Sequence, residues 1–351
     1  MKRKYLITLS LVIGFSILGI GGYFLTKPKT PTKEVVFETS GEIDDFIANE
    51  TIQTDEKGSL SPYTGLVLSE DESMQDAFLA IIENSRQARP QSGLSQSDFV
   101  YEVMTEGGIT RFMALFNTNY AQKIGPIRSA RYYFLDLSKE FDLPFAHCGG
   151  SHDALKTIES DSSLKSVNEM ASGNYFSRDS ARVAPHNLYT STENIEKYLD
   201  VKPFSKTNMR KLTFNDDFWT NKDLENCLSV DLKLSNYYST SYKYSESGYV
   251  KSMDGVESID ASTNEPLTFD NIVIQLTNIK NRETEEYMDI DLVGSGDAIV
   301  ISNGQYIKGT WSKKDSSLAT TIKDANGESI PLGSGNTIWH IADSKNEIKI
   351  Y

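Results

Sequence analysis

Cysteine is nearly absent: Cys148 and Cys227 are the only two in 351 residues. Two thiols cannot build a disulfide framework or a four-thiolate zinc site, and whether they pair with each other is open. Histidine is scarce as well, at His147, His152, His186 and His340. Their spacing matches no standard zinc motif, and a zinc on His147, His152 and His186 with Asp153 would be a non-standard set. Positive charge is in deficit, with 35 Lys+Arg against 49 Asp+Glu and a net charge of −14. A chain of that sign repels nucleic acid, which excludes general DNA or RNA binding. With 38% hydrophobic and 24% charged residues, the chain is neither disordered overall nor a multi-span membrane protein.

The first 29 residues read as a basic tip and a membrane anchor. Lys2, Arg3 and Lys4 precede an uncharged run from Leu6 to Leu25, closed by Lys27 and Lys29. Twenty residues at 1.5 Å each match the hydrocarbon core of a bilayer, about 30 Å thick. The basic end stays in the cytoplasm and the body is exported. An Ala-x-Ala-like cleavage site is lacking, although Gly19-Ile20-Gly21 keeps cleavage open. Residues 30–60 read as a flexible tether. They hold eight acids and two bases and too few large apolar residues to offset the cost of ordering.

Residues 61–205 read as a first domain of mixed helices and strands. Asp98–Met104 suits a strand covered on both faces, Glu106-Gly107-Gly108 a turn, and Ile109–Phe116 its hairpin partner. Leu143–Cys148 suits another strand. Ser129, Ser151 and Thr190 (with Glu193) are expected helix caps. Residues 206–235 form a polar bridge with Phe218 and Trp219. Residues 236–351 read as a largely antiparallel β domain of five to seven strands, with a hairpin at Asn303-Gly304 and Trp311 and Trp339 as core aromatics. The fold class is therefore α+β, a layered α/β first domain followed by a mainly antiparallel β domain.

A set of ordered motifs carries a resemblance. Ala88-Arg-Pro-Gln-Ser-Gly-Leu-Ser-Gln-Ser-Asp98, Tyr101-Glu102 and Glu106-Gly-Gly-Ile-Thr-Arg-Phe112 are followed by Ile124-Gly-Pro-Ile-Arg-Ser-Ala-Arg131. Then come His147 with Gly149-Gly-Ser151, Ala184-Pro-His-Asn-Leu-Tyr-Thr-Ser191, Asp289-Ile-Asp-Leu-Val-Gly-Ser-Gly296 and Gly309-Thr-Trp311. Over about residues 62–345 the chain resembles the YerB-like family of bacterial surface proteins, often lipoproteins, whose biochemical activity is not established. The resemblance implies a surface location but no reaction. The lipid-attachment cysteine is missing near the end of the apolar run, a departure that changes the anchoring and not the body.

Arginines in turns and strand ends are the residues best suited to chemistry. Arg89, Arg111, Arg128, Arg131 and Arg182 present planar forks that fit phosphate or carboxylate. Gly107-Gly108, Gly125 and Gly149-Gly150 permit close backbone approach and arrays of N–H donors. An anion pocket from at least three of these arginines, joined by His147, Gly149, Gly150, Ser151, His186 and Asn187, competes with salt bridges to Asp98, Glu102, Glu106 or Asp136. His186 and Glu102 are the candidate acid/base groups. Gly149-Gly-Ser151-His-Asp153 fails the nucleophile-elbow pattern, so Ser151 reads as a cap. From Asp98 to Leu155 the order of strand, turn, strand, Arg-bearing loop and His-x-Gly-Gly also resembles LytR-CpsA-Psr cell-wall ligases. Those hold a polyprenyl pyrophosphate in an Arg-rich pocket.

Two readings follow. One is an envelope protein that binds an anionic cell-wall intermediate or a membrane-protein partner. The other is a transferase or hydrolase acting on a lipid-linked phosphorylated precursor. No cofactor is expected beyond a divalent cation such as Mg²⁺ accompanying phosphate. The N-terminal helix supplies the contact with the membrane.

Overall fold

The structure, a computed structural model, describes residues 59–68, 76–205, 210–221, 224–282 and 287–351. The basic tip, the apolar run expected to be an anchor and nearly all of the tether lie outside the described residues. Among the described residues no helix is long and apolar enough to cross a membrane.

The expected hairpin forms at Phe99–Met104 and Thr110–Phe116, with Met104 opposite Thr110. Phe78–Glu83 and Phe145–His147 extend it on one side and Ser166–Asn168 follows. On the other side Phe99–Met104 pairs in parallel with Thr337–Asp343, which pairs in parallel with Asn271–Thr277. Gly294–Ser302, Gln305–Lys313 and Thr321–Lys323 complete the path, with Glu225–Asn226 on the flank of Gln305–Lys313. The result is one eleven-stranded sheet drawn from both sequence regions.

The antiparallel expectation for residues 236–351 thus needs correcting at one pair. Asn271–Thr277 and Thr337–Asp343 run parallel. Parallel neighbours require a long crossover, and the hairpin excursion through residues 294–323 supplies it. The hairpin at its heart is as expected: Asn303 and Gly304 have φ of 46° and 72°, so both central residues are left-handed, and Ser302 faces Gln305.

Alternation along the strands divides the core into two layers. Phe99, Tyr101 and Val103 pack with Tyr133, Phe134, Leu137 and Phe141 of the helix Tyr132–Phe141, beside the helix His152–Ser160. Val100 and Met104 face the opposite layer, with Ile195 and Leu199 of the helix Thr192–Val201. That layer also contains a six-stranded sheet of Ser229–Lys233, Ser239–Ser245, Gly248–Met253, Val256–Glu257, Thr268–Phe269 and Glu347–Ile350. Residues of period two with both faces apolar therefore place the large sheet in the middle.

Trp311 and Trp339 are buried, their indole N–H groups donating to the Leu276 carbonyl (2.7 Å) and to Gln275 Oε1 (3.0 Å). Trp219 of the bridge is buried too and donates to the Pro331 carbonyl at 3.1 Å. The caps differ from expectation. Arg131, not Ser129, holds the N-cap of Tyr132–Phe141. Ser191, not Thr190, caps Thr192–Val201, accepting from Asn194 N at 3.2 Å. Ser151 sits at the N-cap of His152–Ser160, but its hydroxyl donates to Asp153 Oδ1 instead of accepting a backbone N–H. Cys148 and Cys227 are unpaired, and burial pushes both thiols up to about 11.

Candidate functional site

Phe78–Glu83, Phe99–Met104, Phe145–His147, Ser166–Asn168, Asn271–Thr277 and Thr337–Asp343 run the same way, so their carboxyl ends share one edge. In α/β sheets ligands bind outside such ends. Residues 124–131 run along part of this edge. Arg128 N donates to the Ile81 carbonyl (2.9 Å), Cys148 N to the Arg128 carbonyl (3.0 Å) and Ala130 N to the Gly149 carbonyl (3.0 Å). These bonds hold Arg128 and Arg131 where strands 78–83 and 145–147 end.

Two carboxylates organise the arginines there. Glu83 is buried. It accepts from Arg128 (3.0 Å), from Ser85 Oγ (2.7 Å) and from His186 Nδ1, which lies 2.9 and 3.0 Å from its two oxygens. The side chains of Arg128 and His186 remain 24% and 22% exposed, so this group opens to solvent. Arg128 Nε is buried without a partner.

Glu106 accepts from Arg111 (2.8 Å) and from both Nε and a terminal nitrogen of Arg131. Burial alone would raise the Glu106 carboxyl, but the charges of Arg111 and Arg131 hold it below the usual range. Arg111 also donates to the Ser129 carbonyl, and burial together with the Arg131 charge lowers its affinity for its proton. Arg131 stacks 5.0 Å from the Tyr287 ring centroid. The Tyr133 hydroxyl is buried without a partner, and Arg111, Glu106 and Arg131 all act on it electrostatically.

The other predicted residues are placed elsewhere or are occupied. Arg89 bonds Asn84 and Asp254 and stacks over Tyr238. Arg182 donates to the carbonyls of Ala88 and Pro90 and to Tyr189, fixing its loop. Asn187 accepts from Arg178 at 3.1 Å. His147 is fully buried, with Nδ1 donating to the Gly149 carbonyl (2.8 Å) and Nε2 accepting from Ser166 Oγ (2.7 Å). Burial pushes its pKa down to about 4, so it is a neutral brace. The expected N–H array at Gly149-Gly150 is partly used: Gly149 N donates to Asn168 and the adjoining Ser151 N to the Ala130 carbonyl.

Glu102, a candidate base, faces the opposite layer and is fully buried. Its oxygens accept from Thr110 (2.7 Å), Tyr238 (2.5 Å) and Lys251 Nζ (2.8 Å). Lys251 is fully buried too and spends its other two donors on Thr240 (2.6 Å) and the Tyr242 hydroxyl (2.8 Å). The Tyr242 oxygen lies 2.8 Å from His340 Nε2. Burial raises the Glu102 carboxyl, but the Lys251 and His340 neighbours and the hydrogen bonds overcome it and take the group down to about 2. Sequence reasoning missed Lys251, His340, Tyr238 and Tyr242. Their only local signal was alternation on β strands, which does not distinguish a buried lysine from a solvated one. Glu83 was missed as well, at the end of an otherwise apolar run.

The family described as "Protein of unknown function (DUF3048) N-terminal domain" matches residues 63–205, and its C-terminal domain matches residues 228–339. YerB of Bacillus subtilis (strain 168), named as a candidate lipoprotein, is 32% identical over 281 residues, covering 78% of this chain and 81% of that protein. The chain belongs to the YerB-like family. A crystal structure of the Bacillus subtilis YerB protein superposes with a TM-score of 0.74 at 30% identity, covering 83% of this chain and 99% of the other. This YerB-like chain thus shares its mixed α/β fold with that structure. Among its described residues no group of three or more His, Cys, Asp and Glu is placed to hold a metal ion.

Proposed function

We propose that this YerB-like chain is a membrane-associated, extracytoplasmic envelope protein that binds an anionic, phosphate-bearing ligand at the carboxyl edge of its large sheet. The location rests on the basic tip and apolar run at the N-terminus and on the lipoprotein name of its relative. One observation carries the ligand class. Among the described residues Arg111, Arg128 and Arg131 share only Glu83 and Glu106 as salt-bridge partners, three positive charges against two negative in a chain of net −14. Arg128 keeps 24% of its side chain exposed, so the solvent-facing part of its fork is available to an oxyanion. Recognition runs through guanidinium groups, because the neighbouring backbone donors are largely used. A cation such as Mg²⁺ would arrive with the ligand.

The test uses the full chain in neutral detergent with a lipid-linked phosphorylated cell-wall precursor and the same lipid without phosphate. Arg128→Ala should weaken binding of the phosphorylated form about 10- to 100-fold, the value of a charge-assisted hydrogen bond. Equal binding of the two lipids would overturn the reading and favour a membrane-protein partner.

His186 supports the enzymatic alternative. Its Nδ1 is held by Glu83, and among the described residues no group bonds Nε2, the arrangement of an oriented general base. On that reading the precursor is turned over, and His186→Asn abolishes turnover while Arg128-dependent binding persists. Absence of product from the wild-type chain with Mg²⁺ and varied acceptors leaves binding alone.

A further inference from the structure

The turn Glu106–Gly108 has a second side. Glu106 holds the arginines on one flank, while Gly107 and Gly108 border a cleft of about 700 Å³ on the other. Its opposite wall is the loop 234–237 between strands Ser229–Lys233 and Ser239–Ser245, and its floor includes Asn281 and the turn 343–346. A second cleft of about 500 Å³ lies beyond the same loop. The two share Lys233, Ser235, Asn236, Tyr237 and Glu347. Tyr237 therefore stands on a ridge between two open clefts, and 73% of it is exposed.

The ridge is built rather than incidental. Ser235 Oγ donates to the Gly108 carbonyl at 2.6 Å and accepts from Tyr237 N at 3.0 Å. A Cβ on Gly108 would lie 2.9 Å from the Tyr237 ring, so the glycine makes room for it. The position of Tyr237 between the clefts, rather than exposure alone, puts an amphipathic ring in reach of a ligand lying in either one.

The chemistry of the walls narrows the ligand. In the larger cleft Lys233 and Lys345 balance Asp343 and Glu347. In the smaller, Arg86, Lys233 and Lys349 balance Asp231, Asp254 and Glu347. Neither cleft has the cationic excess that an anionic polymer needs. Among the described residues no group bonds the side-chain amides of Asn236 and Asn281, which both donate to and accept from hydroxyl and acetamido groups. Two clefts that meet at one aromatic suit an extended chain rather than a compact molecule.

We infer that this surface binds a neutral glycan chain, with one sugar packing its C–H face on the Tyr237 ring and its neighbours reaching into the two clefts. The site is separate from the arginine edge and does not depend on the anion reading. Titrating the full chain with chitohexaose, cellohexaose and maltohexaose tests it. Saturable binding to at least one is expected, insensitive to salt because the ligand carries no charge. Tyr237→Ala should weaken it about tenfold, and Tyr237→Phe should retain it, since the ring and not the hydroxyl carries the contact. No saturable binding to any of the three, or binding unchanged by Tyr237→Ala, would overturn the inference. So would a response only to an unstructured peptide, which would assign the surface to a protein partner.

Discussion

Lys251→Met is expected to destabilise the fold by about 3–5 kcal/mol, the usual cost of leaving a buried charge without its partner. Glu102 would remain fully buried without the cation that holds it ionised, and the Tyr242 and Thr240 oxygens would each lose a donor. The network joins five strands, Phe99–Met104, Thr110–Phe116 and Thr337–Asp343 of the large sheet and Ser239–Ser245 and Gly248–Met253 of the small one. Its loss should therefore appear as one cooperative shift of the urea midpoint with an unchanged slope. The double variant Glu102→Gln/Lys251→Met should recover at least half of the loss, because no unpaired charge is then buried. A midpoint within error of wild type for Lys251→Met would show that the two layers are held by apolar packing alone.

Mild acid should be the second large perturbation. His147 and His340 are both fully buried and neutral. Burial lowers them from the ordinary 6.5 to about 4 and about 3 respectively, with the Glu102 charge opposing the fall at His340. The unfolded chain protonates these rings below pH 6.5 and the folded chain does not, so the unfolded state binds more protons. Stability is then complete above about pH 6.5 and falls as pH drops toward 4, by about 1.4 kcal/mol per unit for each histidine. Glu102 acts in a lower window: its depressed carboxyl contributes above the unfolded value and loses that contribution only as pH falls through about 2. Urea unfolding at pH 7, 6 and 5 should show the decline, and His147→Asn should remove about half of its slope. A flat profile would mean that the buried rings carry charge in the fold.

Much of the local architecture was legible in the residues. Both-face burial of Phe99–Met104, its hairpin, the Asn303-Gly304 turn and the core tryptophans follow from period-two patterning and turn chemistry. Helix starts were misplaced by one or two residues at Ser129 and Thr190, because several adjacent polar groups can serve as a cap and packing chooses among them. The candidate site was legible only as a list. Arg111, Arg128 and Arg131 do meet at one edge, and Arg89 and Arg182 do not join them. The motif spacing is the same for a guanidinium offered to a ligand and for one spent on an Asn or a carbonyl.

By itself the sequence determined where charge sits: five bases and no acid in residues 1–29, a net −6 over residues 30–60, and a net −13 in the rest, where glycine-bearing segments carry the arginines. It also determined the Phe99–Met104 hairpin, the Asn303-Gly304 turn and the YerB-like family, but not the strand count, since the described part of residues 236–351 carries twelve strands where five to seven are expected. Tertiary structure alone decided the parallel seam between Phe99–Met104 and Thr337–Asp343, more than 230 positions apart. It alone put Glu102 against Lys251, set Glu83 beneath Arg128 and His186, and left Tyr237 standing between two clefts. The reason is physical. Propensity and periodicity act over a few residues, whereas the worth of a charge depends on which distant partner and how much water the completed fold leaves beside it.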